Sequence, residues 1–138
     1  MPPHGYGAAQ SYLKTQVESS TPVERVALLY TSAVAALTAA LDAIAKHDLR
    51  ARRTAMNRAF AIVAELQSTL DLDRGGAVAI ELDRLYTYVL TRMIEGVSKQ
   101  DPAPIEQARS ILGTLADAWQ QISRPPAAAP AAPPGQPR

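Results

Sequence analysis

The side chains that could bind a metal or catalyse a reaction are few: two histidines, thirteen acidic residues and no cysteine. His4 lies in a glycine- and proline-rich start, His47 lies in a predicted turn, and neither has the Glu-x-x-His spacing of a di-iron helical bundle. The absence of cysteine excludes disulfides and thiolate metal ligands. We therefore expect no metal site, no cofactor and no catalytic centre.

The segment Asp71-Leu72-Asp73-Arg74 followed by Gly75-Gly76 is the next candidate for chemistry. A phosphate-binding loop needs further glycines and a lysine, which this segment lacks. We interpret the two glycines as a hinge between helices. The two aspartates are interpreted as capping and turn residues.

Basic residues cluster in one place, at Lys46, Arg50, Arg52, Arg53 and Arg58. No aromatic residue is interleaved with them and Asp48 dilutes them, which favours a solvated helix face over a docking patch. The whole chain has 14 basic and 13 acidic residues, a net charge of +1. Such a balance provides no long-range field to attract phosphates, so nucleic acid is not expected as a partner.

Apolar residues recur at steps of three and four in four stretches between residues 21 and 123, which predicts four helices. Thr21-Pro22-Val23-Glu24 is a capping box that begins the first, and Asp48 caps the second. The third is expected from about Ala77 to Lys99, and Asp101-Pro102 begins the fourth. With short connections, these helices predict an all-α, antiparallel up-down four-helix bundle.

The two ends of the chain differ in composition from this helical domain. Residues 124–138 hold six of the eleven prolines, which predicts a disordered, polyproline-like tail. The composition of residues 1–20 predicts a mobile arm or a short helix. This segment also carries four apolar or aromatic residues: Tyr6, Tyr12, Leu13 and Val17.

No signal peptide or membrane span is expected from the sequence. The start of the chain lacks the apolar run of a signal peptide. The longest weakly polar stretch, Val26 to Leu41, is too short to span a bilayer and is interrupted by Thr31, Ser32 and Thr38. A soluble protein of the cytoplasm, without membrane insertion, is predicted.

The third helix carries more apolar residues than one core stripe requires. At about 100° per residue, Ile80, Leu90 and Ile94 fall on one flank of its core face and Tyr88 on the other. They either widen the core or line a surface groove, and the apolar residues of the N-terminal arm favour the groove. An amphipathic helix of a partner could lie there. The predicted lining is Ile62, Ile80, Tyr86, Tyr88, Leu90 and Ile94.

Several segments resemble those of the FliS family of flagellar secretion chaperones. They are Ser20 to Tyr30 at the start of the first helix, Ser68 to Asp71 followed by Gly75-Gly76, Leu82 with Leu85 to Tyr88, and the late Trp119. The order and spacing of these segments also fit. The similarity covers roughly residues 6 to 122 and leaves out the proline-rich tail.

This resemblance implies a helical bundle that binds the C-terminal segment of flagellin, blocks its premature polymerisation in the cytosol and aids type III flagellar export. It also implies that the N-terminal arm caps the groove through Tyr6, Tyr12, Leu13 and Val17. Whether the cytosolic domain of the export-gate membrane protein is a further partner is left open. The alternative is a self-associating bundle with a structural or adaptor role, so either a monomer or a weak homodimer is expected.

Overall fold

The computed structural model describes residues 21–123, which form four α-helices: α1 (Pro22–Ala45), α2 (Leu49–Ser68), α3 (Leu72–Lys99) and α4 (Pro102–Ser123). Short turns join them, so successive helices run antiparallel. Each helix packs against two others, in the pairs α1–α2, α1–α4, α3–α4 and α2–α3. The described chain is therefore an up-down four-helix bundle, which confirms the predicted fold class.

The predicted starts of α1 and α2 are confirmed. The backbone N–H of Glu24 donates to Thr21 Oγ1 at 3.1 Å, and Pro22 is the first residue of α1. The backbone N–H of Ala51 donates to Asp48 Oδ1 at 3.1 Å. Each cap satisfies a backbone donor that the helix itself leaves without a partner.

The predicted start of α3 is wrong. The helix α2 ends at Ser68, and α3 begins at Leu72 because Asp71 caps it, accepting a hydrogen bond from the Arg74 backbone N–H at 3.0 Å. Gly76, at φ 55° and ψ −137°, breaks the helical geometry inside α3. The structure thus has a short helical segment from Leu72 that joins the rest of α3 across a kink at Gly76, so the two glycines form a hinge between helical segments, as predicted, and only the early segment was missed.

Alanine allows the helices of the core to approach closely, while a few large side chains fill its centre, among them Tyr30, Leu37, Leu66, Met93 and Leu112. Some large apolar residues of the helices are exposed instead: Leu49 (64%), Val78 (69%) and Ile122 (65%). They lie near helix ends, where the helical period continues but no neighbouring helix covers them.

By length and composition α1 could span a membrane, with a mean hydropathy of 1.6 over its most apolar window. The helix is longer than the predicted apolar stretch because it extends beyond Val26 and Leu41 at both ends. The threonines within the stretch do not interrupt the helix. Their hydroxyls donate to backbone carbonyls one turn earlier, Thr31 to Ala27 at 3.0 Å and Thr38 to Val34 at 2.8 Å. Seven residues of α1 are buried in the bundle, and 39% of its most apolar window is buried.

Candidate functional site

Exposed apolar side chains concentrate on α3. Within residues 21–123, eight large apolar side chains are exposed, and six of them belong to this helix: Leu72, Val78, Ile80, Tyr88, Ile94 and Val97. Scattered exposure of single apolar residues is normal, but concentration on one helix is a feature of interaction surfaces.

The edge of α3 that faces α2 carries an apolar row. Ile80, Thr87 and Ile94 are spaced by seven residues, so they lie along one line of the helix. The Gln67 side chain of α2 donates to Thr87 Oγ1 at 2.9 Å and to Asp83 Oδ1 at 3.0 Å. These bonds place the row beside the seam between α2 and α3. Ile80 is exposed on the N-terminal side of this polar contact, and Ile94 is exposed on its C-terminal side.

Leu90 lies between this row and the core. Its side chain is half-buried and packs against the core cluster. Ile80, Leu90 and Ile94 therefore lie on the same side of α3, with Ile80 separated from the other two by the polar contact, and we call these three residues the α3 rim. Because α2 and α3 pack less extensively than any other neighbouring pair of helices, the rim borders the most open side of the bundle.

The other predicted groove residues lie elsewhere. Tyr88 is 44% exposed but sits about 120° around α3 from Ile94. Ile62 shares a side of α2 with Ala55 and Arg58, which line the groove between α1 and α2, so it faces α1. Of the six predicted residues, the structure brings together the three of the rim.

Tyr86, the sixth, is in the core. Its hydroxyl hydrogen-bonds to that of Tyr30, which connects the diagonally opposite helices α1 and α3. The ring of Tyr30 also stacks on Trp119 of α4, with centroids 6.1 Å apart. Burial raises the pKa of both tyrosines, so both hydroxyls stay neutral at physiological pH and one donates to the other.

An open apolar pocket of about 390 Å³ lies above this aromatic cluster, at the end of the bundle where α1 begins and α4 ends. We call it the end pocket. Its apolar lining includes Val26, Leu70, Val78, Leu82 and Trp119. No sequence signal predicted it, because its lining comes from three helices (α1, α3 and α4) and the turn between α2 and α3. The proposed cap residues, Tyr6, Tyr12, Leu13 and Val17, lie outside the described residues.

The opposite side of α3 is closed against α4. Arg92 Nε donates to Gln107 Oε1 of α4 at 2.6 Å, and Arg92 also pairs with Glu95. The ammonium group of Lys99, which donates to Glu95, lowers the pKa of that carboxyl. At Gly96 the two helices approach so closely that a side chain would collide with α4. Partner access to α3 is thus easier from the α2 side.

Nothing in the described helices resembles a metal site, since residues 21–123 contain no group of three or more histidine, aspartate or glutamate side chains that could hold an ion. The polar side chains of the α3 region instead serve as helix caps, ion pairs and links between helices. The surface of α3 therefore offers a partner mainly apolar area.

Comparison with known proteins gives a consistent result. The sequence profile of the family described as "Flagellar protein FliS" matches residues 5–126. The flagellar secretion chaperone FliS of Salmonella typhimurium is 31% identical over 116 residues, covering 83% of this chain and 86% of that protein. FliSB of Pseudomonas aeruginosa is 27% identical over 83% of this chain and 90% of its own length.

A more distant relative, the flagellar secretion chaperone FliS of Bacillus subtilis, is 24% identical over 80% of this chain and 82% of its own length. The profile match spans all four helices and every residue of the rim and the end pocket. The family consists of export chaperones and not of enzymes. This chain belongs to the FliS family of flagellar secretion chaperones.

Proposed function

We propose that this export chaperone binds the C-terminal segment of flagellin along the α3 rim, in the cytoplasm, and keeps it from polymerising before export. The observation that carries the proposal is the exposure of Ile80 and Ile94 on the side of α3 that borders the open seam with α2. A segment that must bury apolar side chains in a filament is prone to aggregate until it assembles. Apolar side chains beside an open seam are suited to cover such a segment.

The end pocket is proposed as a second, separate part of the binding surface. Val78, which lines that pocket, is close to Ile80 along α3 but lies about 160° around the helix from it. An extended client would have to cross α3 in order to place one side chain in the pocket and lay an amphipathic helix along the rim. Burial of apolar area would provide about 25 cal/mol per Å², from which the cost of ordering the client is subtracted.

The N-terminal arm is proposed to cover the same surface when no client is bound. The arm joins the bundle at Thr21, and Val26, little more than one turn later, already lines the end pocket. The apolar residues proposed to make the contact are Tyr6, Tyr12, Leu13 and Val17. Release of the arm would then accompany client binding. A contact with the export gate is not needed for this proposal.

The test is a paired substitution on the rim. Ile80→Asp with Ile94→Asp should weaken binding of a flagellin C-terminal peptide by about 100-fold or more, because carboxylates would be buried without partners. Both side chains are substantially exposed in the free protein, so the helical circular dichroism should not change. Leu90→Asp is a poorer test because Leu90 also packs against the core.

A matched control is Ile122→Asp, which places the same charge on an exposed isoleucine of α4. It should leave the affinity within about threefold of the original, as expected for a site outside the interface. Retained peptide affinity in the doubly substituted rim variant would contradict the proposal. Light scattering addresses self-association: a concentration-dependent dimer that the rim substitutions dissociate would favour the alternative, a homodimer seam.

A further inference from the structure

The arginines of α2 differ from the other arginines of the described chain. Arg74, Arg84 and Arg92 of α3 each pair with a carboxylate three residues away, and Arg109 of α4 donates to Thr38. Arg25 also has a partner. Within residues 21–123 the arginine side chains that make neither an ion pair nor a hydrogen bond are therefore four, all on the first half of α2: Arg50, Arg52, Arg53 and Arg58.

The local charge is unbalanced in this half of the helix. The first turn of α2 has no acidic residue, and the positive end of the helix dipole adds to the field of the arginines. Asp48 is adjacent, but one of its carboxylate oxygens accepts the capping hydrogen bond from Ala51. Like charges three or four residues apart on a helix repel each other, so this arrangement is unfavourable without a partner.

A groove lies beside these arginines, between α1 and α2, with a volume of about 510 Å³. Its floor consists of alanines from both helices, and α1 contributes no charged side chain to it: Ala35, Ala36, Ala39, Ala51 and Ala55. Arg50 and Arg58 form part of its wall on the α2 side, together with Asp48 and Thr54. Such small side chains allow another backbone to approach closely.

We propose that this groove binds an acidic amphipathic helix of a second protein partner, with its small apolar side chains on the alanine floor and its carboxylates on Arg50 and Arg58. Arginine holds a carboxylate through two parallel hydrogen bonds. The α2 wall of the groove would therefore select Asp or Glu at the positions of the partner helix that face Arg50 and Arg58. The groove lies on the α1–α2 side of the bundle, whereas the rim lies on the α2–α3 side. The inference is therefore independent of the proposed flagellin site.

A helix fits this groove better than a nucleic acid does. Single strands bind through aromatic side chains on which bases stack, and no aromatic residue lines the groove. A duplex is read through a broad basic surface, whereas here the positive charge lines a narrow apolar trough. The sequence alone favoured a solvated face for these arginines because the groove exists only once α1 and α2 are packed.

The test uses the full chain and a synthetic helical peptide of about twenty residues, with alanine and leucine on one face and glutamate along the edge that would face Arg50 and Arg58. Amide chemical shifts should change at Ala35, Ala39, Ala51 and Ala55. Arg50→Glu with Arg58→Glu should weaken binding by about tenfold or more. Arg74→Glu with Arg84→Glu, at two exposed arginines of α3 that pair with Asp71 and Glu81, is the charge-matched control and should change little.

A second variant tests the groove itself. Ala39 is exposed and lines the groove, so Ala39→Trp should block the floor without changing the charge or the core, and the peptide should no longer bind. The proposal is overturned if the glutamate peptide does not bind, or if it binds Ala39→Trp as well as the original. It is also overturned if a lysine version of the peptide, or a DNA duplex, competes equally.

Discussion

At the scale of single residues, the core depends on one polar contact between diagonally opposite helices. Tyr30 and Tyr86 are buried, and each hydroxyl has the other as its partner. Within residues 21–123 every buried side-chain nitrogen or oxygen has a hydrogen-bond partner. The pair therefore specifies the relative height of α1 and α3 without leaving a polar group unsatisfied.

Replacing one member of the pair should cost more than replacing both. Tyr30→Phe leaves the Tyr86 hydroxyl buried without its partner, a cost of about 1–3 kcal/mol in the free energy of unfolding. Tyr30→Phe with Tyr86→Phe removes both hydroxyls and should recover part of that loss. Urea denaturation of the two single variants and the double variant measures the coupling; additive losses would contradict the contact.

The same pair predicts a loss of stability in alkali. Burial raises the folded-state pKa of Tyr30 and Tyr86 above the usual 10.0, so below about pH 10 both states bind the same protons and stability is unaffected. Above that pH the unfolded state ionises first, and the free energy of unfolding falls. The double phenylalanine variant should lose less stability than the original protein between pH 10 and pH 12, measured by urea denaturation at each pH.

The sequence predicted that both tyrosines belong to helical apolar stripes, but not that they meet. They are 56 residues apart, and their contact depends on which helices are diagonal in the bundle. For the same reason Tyr86 was predicted as a groove residue: a helical period identifies the inward side of a helix, but not how deep a residue on that side lies.

At the scale of elements, α3 shows why helix boundaries were only partly predictable. The caps at Thr21 and Asp48 were predicted because a polar side chain just before an apolar periodic stretch has a local cause. Asp71 has the same chemistry, and Gly75-Gly76 does form a hinge between two helical segments, as predicted. The short segment that Asp71 caps before this hinge was not predicted, because it is too brief to show a hydrophobic period.

Replacement of two glycines by alanine should change the free energy of unfolding in opposite directions. Gly76 has φ 55°, a region that is strained for an L side chain, so Gly76→Ala should lower the free energy of unfolding by about 1–3 kcal/mol. Gly113, in the middle of α4, has open space around its Cα, so Gly113→Ala should raise that free energy by about 0.5–1 kcal/mol. Thermal denaturation of the two variants gives the comparison; equal shifts would contradict the kink.

At the scale of the whole molecule, the bundle presents two different surfaces on either side of α2. The α3 rim is apolar and borders the loosely packed seam between α2 and α3. The groove between α1 and α2 has a floor of alanines and carries arginines on its α2 side. Apolar area suits a client that must be shielded from water, and positive charge suits a partner that must be recognised. One bundle could then hold both at once.

The four helices and their general order were predictable because hydrophobic period and capping are local properties of the chain. The candidate binding surfaces were less predictable than the helices. Ile80, Leu90 and Ile94 were predicted together because they lie on one helix, whereas Ile62 lies on the α1 side of α2, away from them. The end pocket, built from α1, α3, α4 and the turn between α2 and α3, was not predicted. Which helices are neighbours is a property of the bundle, and helix patterns alone leave it undetermined.

The most direct test of the central claim is isothermal titration calorimetry of the full chain against the C-terminal segment of flagellin at several temperatures. The account predicts a one-to-one complex with a large negative heat-capacity change, because apolar surface is buried as the client folds onto the α3 rim. The absence of binding by a demonstrably folded protein, or binding that Ile80→Asp with Ile94→Asp leaves unchanged, would contradict it.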